Sequence, residues 1–118
     1  MSNEQPVLPS RKGKRGTLVD PNGGRLHFTI TDEIRKPQSD LPSKIIVLER
    51  ILFDDGRIEL RLGYYIIGKK PKMFGKWVWG QYCTLLPVRD FTAIVSQAQR
   101  LGWLSDTEQT PQPRAVGG

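Results

Sequence analysis

The stretch from Arg57 to Cys83, RIELRLGYYIIGKKPKMFGKWVWGQYC, decides how the rest of the chain is interpreted. Its residues alternate between two faces from Arg57 to Ile67 and again from Lys76 to Thr84, which is the period of a half-buried β-strand. The segment between them, GKKPKMFG, contains two glycines and a proline, which exclude regular structure. We therefore predict two strands joined by a basic loop with Phe74 at its tip.

Alternation predicts which side chains share a face but not which face is covered. Trp77 and Trp79 share one face of the second strand, and Arg61 and Tyr65 share what we expect to be the outward face of the first. If the tryptophans point away from a covering helix, they form an exposed aromatic surface. If they point towards it, they are core residues. Both alternatives stay open at this point.

Two hairpins are predicted upstream. Asn22-Gly23 lies between short β-prone runs and suits the positive φ angles of a tight turn. The apolar run from Ile45 to Phe53 is followed by Asp54-Asp55-Gly56, which predicts an antiparallel hairpin with the strand from Arg57. Residues 32–43 are polar and contain two prolines, so we expect an irregular connection between the hairpins.

The sequence after Thr84 has the spacing of an amphipathic helix. Its apolar stripe is expected to consist of Val88, Phe91, Val95, Ala98 and Leu101, with Ile94 beside it. Pro87 and Asp90 suit the first turn of such a helix, and Gly102 suits its end. The predicted fold is α+β, a curved antiparallel sheet of about five strands followed by one C-terminal helix.

The 118 residues of the chain suffice for one hydrophobic core. Residues 1–16 are rich in Pro, Ser, Gly and basic residues, and we expect a disordered basic tail there. Residues 17–104 are expected to form the single α+β domain, and residues 105–118 a second disordered tail.

Composition argues against several classes of function. Cys83 is the only cysteine, which excludes an intrachain disulfide and a cysteine zinc site and favours a reducing, cytoplasmic compartment. His27 is the only histidine, so we expect no metal site and no nucleophilic catalysis. Asp54 and Asp55 are interpreted as turn residues rather than an acid/base pair. No apolar run is long enough to span a bilayer. We expect no enzyme activity and no cofactor.

Positive charge is concentrated in one part of the chain. The formal net charge of the chain is +6. The stretch from Arg57 to Arg89 contains seven basic residues and one acidic residue, so its own net charge is also +6. Basic side chains around aromatic rings on an open sheet face can neutralise the phosphates and stack the bases of a single strand. We therefore expect a domain that binds single-stranded DNA or RNA, in the cytoplasm, the nucleoid or the nucleus.

The expected nucleic-acid-binding residues fall into three groups. The phosphate-neutralising residues of the strand and the loop are Arg57, Arg61, Lys69, Lys70, Lys72 and Lys76. The base-stacking residues are Tyr65, Phe74, Trp77 and Trp79. A basic arm that adds non-specific affinity consists of Arg11, Lys12, Lys14 and Arg15. For the arm, a merely solubilising terminus is the alternative.

From about Lys44 to Gly102 the chain resembles the positive cofactor four family, the transcriptional coactivators and bacterial and phage relatives that bind single-stranded DNA. The resemblance is carried by RIELRLGYYI as a sheet strand, KKPKMFGKWVW as basic segment and last strand, and TLLPVRDFTAIV as helix entry. It implies a homodimer formed through the C-terminal helix and an accessory role in transcription or replication. The family's DNA-facing strands contain fewer tryptophans, and the hairpin at residues 17–31 has no obvious counterpart in it.

Two other functions fit the same residues. A protein-interaction adaptor of phage or mobile-element type would bind a host protein through the tryptophans and the apolar strand from Ile45 to Phe53, with the lysines only solubilising it. The second of these functions is the binding of double-stranded or ribosomal RNA through a barrel surface. The exposure of the tryptophans and the position of the lysines separate these alternatives.

Overall fold

The computed structural model describes residues 7–69, 71–80 and 83–105. These residues form a single antiparallel sheet whose strands lie in chain order, followed by a C-terminal helix. The elements are β1 (Arg15–Val19), β2 (Arg25–Gln38), β3 (Leu41–Phe53), β4 (Ile58–Ile67), a 3-10 turn (Pro71–Met73), β5 (Trp77–Trp79) and α1 (Val88–Arg100). The sheet is strongly curled into a half-barrel, which confirms the predicted fold class.

The two faces of the sheet carry separate cores. On one face, Ile94 of α1 packs against Ile46 of β3 and its neighbours, and we call this the helix face. On the other, Leu18 of β1 and Arg61 of β4 line the same cavity, although β2 and β3 lie between their strands. The sheet therefore curls towards this second face, which we call the inner face.

The tryptophans of β5 lie on the inner face. Trp79 is paired with Tyr65, and Trp77 with Ile67, across the two last strands. Both indoles are half-buried and pack against a cluster that contains Val47. Because α1 covers the opposite face, the alternative in which the helix covers the tryptophans is wrong.

A bulge in β2 lets that strand contribute to both cores. Ile30 pairs with Ile51, but the next pair is Asp32 with Arg50, so one extra residue stands in β2. Side chains after the bulge point to the opposite face from the one that simple alternation gives. As a result Ile30 belongs to an inner-face core, and Ile34 belongs to the core beneath α1.

The irregular connection predicted at residues 32–43 is wrong, because β2 continues to Gln38 and β3 begins at Leu41. Pro37 lies inside β2, where a proline is normally unfavourable because it lacks the N–H group. β1 pairs only with the beginning of β2, up to Thr29, so β2 is an edge at Pro37 on that side. A proline is tolerated at an edge.

α1 packs through a different stripe from the predicted one. Its buried residues are Asp90, Ile94 and Ala98, whereas Val88 is 80% and Phe91 47% exposed. The buried stripe is centred on Ile94, because the helix is anchored to the sheet through Asp90, one turn before it. No helix within the described ranges is long and apolar enough to cross a membrane.

The end of α1 follows the sequence-based prediction. Gly102 adopts a φ of 80°, a left-handed conformation that suits glycine after a helix. The N–H of Trp103 then donates to the carbonyl oxygen of Ala98 at 2.9 Å. The indole of Trp103 is buried in the core beneath α1, so the chain reversal also closes that core.

Asp90 joins the start of α1 to the turn between β2 and β3. Its carboxylate is 1% exposed and accepts hydrogen bonds from the backbone N–H and the hydroxyl of Ser39, at 2.9 and 3.1 Å. The ammonium group of Lys36 lies 3.9 Å away. The hydrogen bond from the Ser39 backbone, more than the other contacts, holds the pKa of Asp90 below its ordinary value.

β1 begins at Arg15, two residues before the predicted start of the domain. Residues 7–14 fall in the predicted basic tail, but Leu8 packs on the inner face and is only 8% exposed, and Gly13 and Lys14 pair with Ile30 of β2. We call residues 7–12 the N-terminal strap. The predicted tails at residues 1–6 and 106–118 fall outside the described residues.

Replacing Asp90 by Asn should lower the melting temperature at neutral pH, because the charged acceptor for Ser39 is lost. The pKa of Asp90 is lowered by folding, so its stabilisation is present above the unfolded pKa of about 3.9 and is lost as the pH falls through the folded pKa. Thermal melts of both proteins between about pH 7 and about pH 3 should therefore converge at the acidic end. A difference that stays constant across this range would contradict the role of Asp90.

Candidate functional site

The loop between β4 and β5 is closed by its own main chain. The N–H of Gly68 donates to the carbonyl oxygen of Lys76 at 2.7 Å, and the N–H of Lys76 donates to that of Met73 at 2.9 Å. These bonds fix the backbone and leave the side chains to solvent. We call residues 68–76 the lysine loop. Its exposed site residues are Lys69, Lys72, Phe74 and Lys76, while Lys70 lies outside the described residues.

The lysine loop carries uncompensated charge. Lys69, Lys72 and Lys76 form no ion pair and no side-chain hydrogen bond with any residue that the structure describes. Three ammonium groups within one short loop produce a local positive potential that attracts anions. Because the groups are exposed, salt screens this attraction. Phe74 is 74% exposed between them and offers an aromatic face.

The tryptophans lie beside the lysine loop, and Trp79 is the more firmly placed of the two. Its ring meets the ring of Tyr65 edge to face, with centroids 5.0 Å apart. It also lies over the backbone of Gly63, where any Cβ atom would overlap the indole. A glycine in β4 thus allows the indole to lie flat on the strand.

Tyr65 is 6% exposed, so the outward position predicted for it is wrong. The face that it shares with Arg61 is the inside of the curl, where side chains from several strands converge. Tyr65 therefore supports Trp79 and offers no open surface to a base while the N-terminal strap is in place. The exposed ring of the candidate site is Phe74, and the half-buried indoles of Trp77 and Trp79 follow it in the chain.

Arg61 is engaged inside the half-barrel. Its Nε donates to the carboxylate of Glu49 at 2.8 Å, and Glu49 is fully buried. The guanidinium lies 5.2 Å from the ring centroid of Phe28 and 5.4 Å from that of Trp79. Removing one member of a buried ion pair leaves the other charge buried without compensation, which destabilises the fold. Arg61 therefore holds the inner face together and has no excess charge for a phosphate.

Arg57 and Arg15 lie at the opposite end of the sheet from the lysine loop, and both are neutralised. Arg57 pairs with Asp55 at 2.9 Å and with Glu59 at 3.1 Å. Arg15 forms a bidentate pair with Asp54 at 2.7 and 2.8 Å, which holds the pKa of that carboxyl below its ordinary value. The structure does not bring these two predicted residues to the loop.

The remaining residues of the predicted basic arm have separate environments. Arg11 donates to the hydroxyl of Tyr65 at 3.4 Å, and the ammonium of Lys12 lies 3.8 Å from Asp32. Lys14 is exposed and has no ion pair within the described part of the chain. Arg11 and Lys12 therefore belong to the strap over the inner face, whereas Lys14 and Arg15 pair with β2, and the arm does not extend into solvent as a charged peptide.

Two cations that position this region were not singled out from the sequence. Arg35 donates to the carbonyl oxygens of Leu8 and Pro9 and so holds the N-terminal strap. Lys44 donates to the carbonyl oxygen of Leu85 at 2.8 Å, and burial lowers its pKa. The sequence contained a signal for the role of Lys44, because a basic residue at the start of an apolar strand needs a polar partner. Arg35 had no comparable signal, because its segment was interpreted as a loop.

Metal-binding and nucleophilic groups are sparse in the described structure. No group of three or more His, Cys, Asp or Glu side chains among residues 7–69, 71–80 and 83–105 could hold a metal ion. The imidazole of His27 lies on the surface, 3.1 Å from the hydroxyl of Thr17, and Cys83 is an exposed thiol. A cavity of about 360 Å³ on the inner face is lined mainly by apolar side chains, including Phe28 and Phe53.

Replacing Gly63 by Ala should displace Trp79 and destabilise the fold by about 1–3 kcal/mol, because the new methyl group occupies the space of the indole. Tryptophan emission and denaturant titration would measure the two effects. Gly24→Ala is the matched control, since its Cβ would meet only Asp20, at 4.0 Å. Equal stability of the two variants would contradict the contact between Gly63 and Trp79.

Comparison with models of known protein families, with curated proteins and with solved structures finds no match for this chain. Its function is therefore inferred from its own residues: the exposed lysines of the loop, the rings beside them and the contacts that hold both in place.

Proposed function

We propose that this protein is a non-catalytic nucleic-acid-binding protein that prefers single-stranded DNA or RNA and acts as an accessory factor in transcription or replication. The observation that carries the proposal is the lysine loop, in which three exposed lysines have no ion-pair partner among the described residues. The same loop carries the exposed ring of Phe74 and leads into the half-buried tryptophans of β5. Single strands are bound by this combination, because the cations neutralise phosphates and the rings stack on bases.

The proposed contacts are narrower than the set expected from the sequence. Lys69, Lys72 and Lys76 are the phosphate-binding residues, and Lys70 belongs with them by its place in the sequence. Phe74 and the accessible edges of Trp77 and Trp79 stack on bases. The charges of Arg57 and Arg61 are already balanced by carboxylates, which favours a structural role for both. The protein on this proposal works in the cytoplasm, the nucleoid or the nucleus.

A second copy of the chain is part of the proposal. α1 covers β2 and β3 and leaves an apolar row of β4 open on the helix face, where Leu60 is 37%, Leu62 41% and Ile66 38% exposed. Adjacent apolar side chains gain stability when a partner removes them from water. The resemblance to the positive cofactor four family also implies a homodimer, but one formed through the C-terminal helix, whereas the exposed row favours a contact through β4.

The alternative function is a protein-interaction adaptor. It is favoured by the same open row on β4 and by two further exposed apolar residues before and at the start of α1, Leu85 at 88% and Val88 at 80%. An adaptor would bind a host protein through these side chains and would be indifferent to oligonucleotides. Binding of duplex or ribosomal RNA is the third possibility, and competition with duplex distinguishes it.

Neutralising the lysine loop should weaken binding of a labelled single-stranded oligothymidylate by about tenfold or more at low salt. The variant is Lys69→Gln/Lys72→Gln/Lys76→Gln, measured by fluorescence anisotropy. Each lost phosphate contact lowers the slope of log K against log salt by about 0.7, so the slope should fall by about 2.

The matched control is Arg25→Gln/Arg89→Gln/Arg100→Gln, which removes the same charge from exposed positions off the inner face and outside the loop. It should retain most of the affinity, since only long-range potential is lost. Equal losses in the two triple variants would show that net charge alone drives binding. Absence of binding by the unmodified protein would contradict the proposed function.

Replacing Leu62 by Lys should convert the proposed dimer into a monomer, because a charge would enter the apolar contact. Sedimentation equilibrium over a range of concentrations measures the effect. Val19→Lys is the control, since Val19 is 72% exposed on β1, at the far edge of the sheet. A monomeric unmodified protein, or a dimer unaffected by Leu62→Lys, would contradict the dimer through β4.

A further inference from the structure

The N-terminal strap covers the part of the inner face next to the tryptophans. Leu8 is 8% exposed and packs in one cluster with Val47 and Tyr65, against which Trp77 and Trp79 also pack. The strap crosses from β2 to β4, since its Arg11 backbone N–H lies 3.4 Å from the Glu33 carboxylate and its guanidinium reaches Tyr65. It therefore fills a groove that the curl of the sheet creates.

Arg35 holds the strap by its guanidinium fork. One terminal nitrogen donates to the carbonyl oxygen of Leu8, and the other donates to that of Pro9. The third nitrogen of the group, Nε, lies 2.9 Å from the carboxylate of Glu33, which balances the charge of the guanidinium. A planar fork that binds two oxygen atoms side by side has the geometry that also suits two oxygens of a phosphate.

The strap is attached at few points. Leu8 is its one buried side chain within the described residues, and Val7, next to it, is 86% exposed. Regular main-chain pairing with β2 begins only at Gly13, whose N–H donates to the carbonyl oxygen of Ile30 at 2.7 Å. A segment with one buried side chain and mostly exposed hydrogen bonds opens at a lower free energy than the sheet beneath it.

We propose that the N-terminal strap is a displaceable cover over a second nucleic-acid subsite, in which Arg35 binds a phosphate and the pocket of Leu8 accepts a base. This inference rests on the proposed function and extends the site from the lysine loop into the groove. Once the strap leaves, the two terminal nitrogens of Arg35 lose their carbonyl partners, and the rings of Tyr65 and Trp79 become accessible from the groove. Glu33 still balances the charge of Arg35 at Nε, so the fork offers the phosphate two hydrogen bonds and no excess charge, and the lysine loop supplies the charge.

The strap and the ligand then compete for the same groups. While the strap is closed, only the open fraction of molecules offers the whole site, and the apparent affinity is reduced by that fraction. The lysine loop stays accessible whether the strap is closed or open, so the nucleic acid contacts the loop first. It contacts the groove second, after the strap has left. The charge of the strap itself, in Arg11 and Lys12, becomes available to the strand after release.

The test uses the full chain and two readouts: acrylamide quenching of tryptophan fluorescence, and the affinity for a labelled oligothymidylate at fixed low salt. Leu8→Ser removes the buried anchor without changing charge. It should increase quenching and raise the affinity by about tenfold. Leu8→Ser/Arg35→Gln should keep the increased quenching and lose the gain in affinity. Val7→Ser is the control and should change neither quantity, because Val7 is already exposed.

The outcomes separate the two proposals. Unchanged quenching in Leu8→Ser would show that the strap is not displaced, and would contradict the proposal that the strap is a displaceable cover. Increased quenching without a gain in affinity, or a gain that survives Arg35→Gln, would overturn the subsite while the lysine loop remains as the binding site. If neither the unmodified protein nor any variant binds the oligonucleotide, the proposed function is wrong. The nucleic-acid subsite is then wrong as well, whatever the quenching shows.

Discussion

The buried pair between Arg61 and Glu49 is the interaction on which the inner face depends. Glu49 is fully buried in the middle of β3, and Arg61 reaches it from β4 between the rings of Phe28 and Trp79. A charge at this depth is stable only with its partner in place. One ion pair therefore ties the central strands together and fixes the position of rings contributed by β2 and β5.

Glycines complete the same arrangement by making room for the rings. Phe28 lies over Gly16 of β1 and Trp79 over Gly63 of β4, each at a position where a Cβ atom would overlap the ring. The ends of these rings occupy the space that a Cβ atom would need, so the rings fill the inside of the curl. The position of Trp79 at the proposed site is thus set by contacts with β4 and not by the lysine loop itself.

Local patterns in the sequence predicted where the strands and the helix lie, but they predicted less well which side chains of those elements are buried. The alternation around Arg57 to Ile67, the hairpin after Val19 and the helix end at Gly102 are present, because each depends on neighbouring residues. The positive φ angles predicted for Asn22-Gly23 are found only at Gly23, because the turn closes between Asp20 and Gly24. The bulge after Ile30 and the burial of Tyr65 depend on strands distant in sequence. So does the stripe by which α1 packs, which Asp90 selects by bonding to Ser39. None of these has a local signature.

Charge shows the same limit most clearly. Counting along the chain gave Arg57, Arg61 and the lysines equal weight, but the fold places carboxylates against the two arginines and none of the described ones against the three described lysines of the loop. Arg61 reaches Glu49 across the pair of strands, and Arg57 reaches Asp55 and Glu59 two residues away along its own chain. The lysines of the loop are exposed and have no such neighbour among the described residues. The residual positive potential is therefore located where two strands end. The N-terminal strap covers the groove that begins there. On the proposed function, a nucleic acid attracted by the loop would therefore meet a segment that side chains such as Arg35 attach to the inner face, and whose main-chain pairing with the sheet begins, within the described residues, at Gly13.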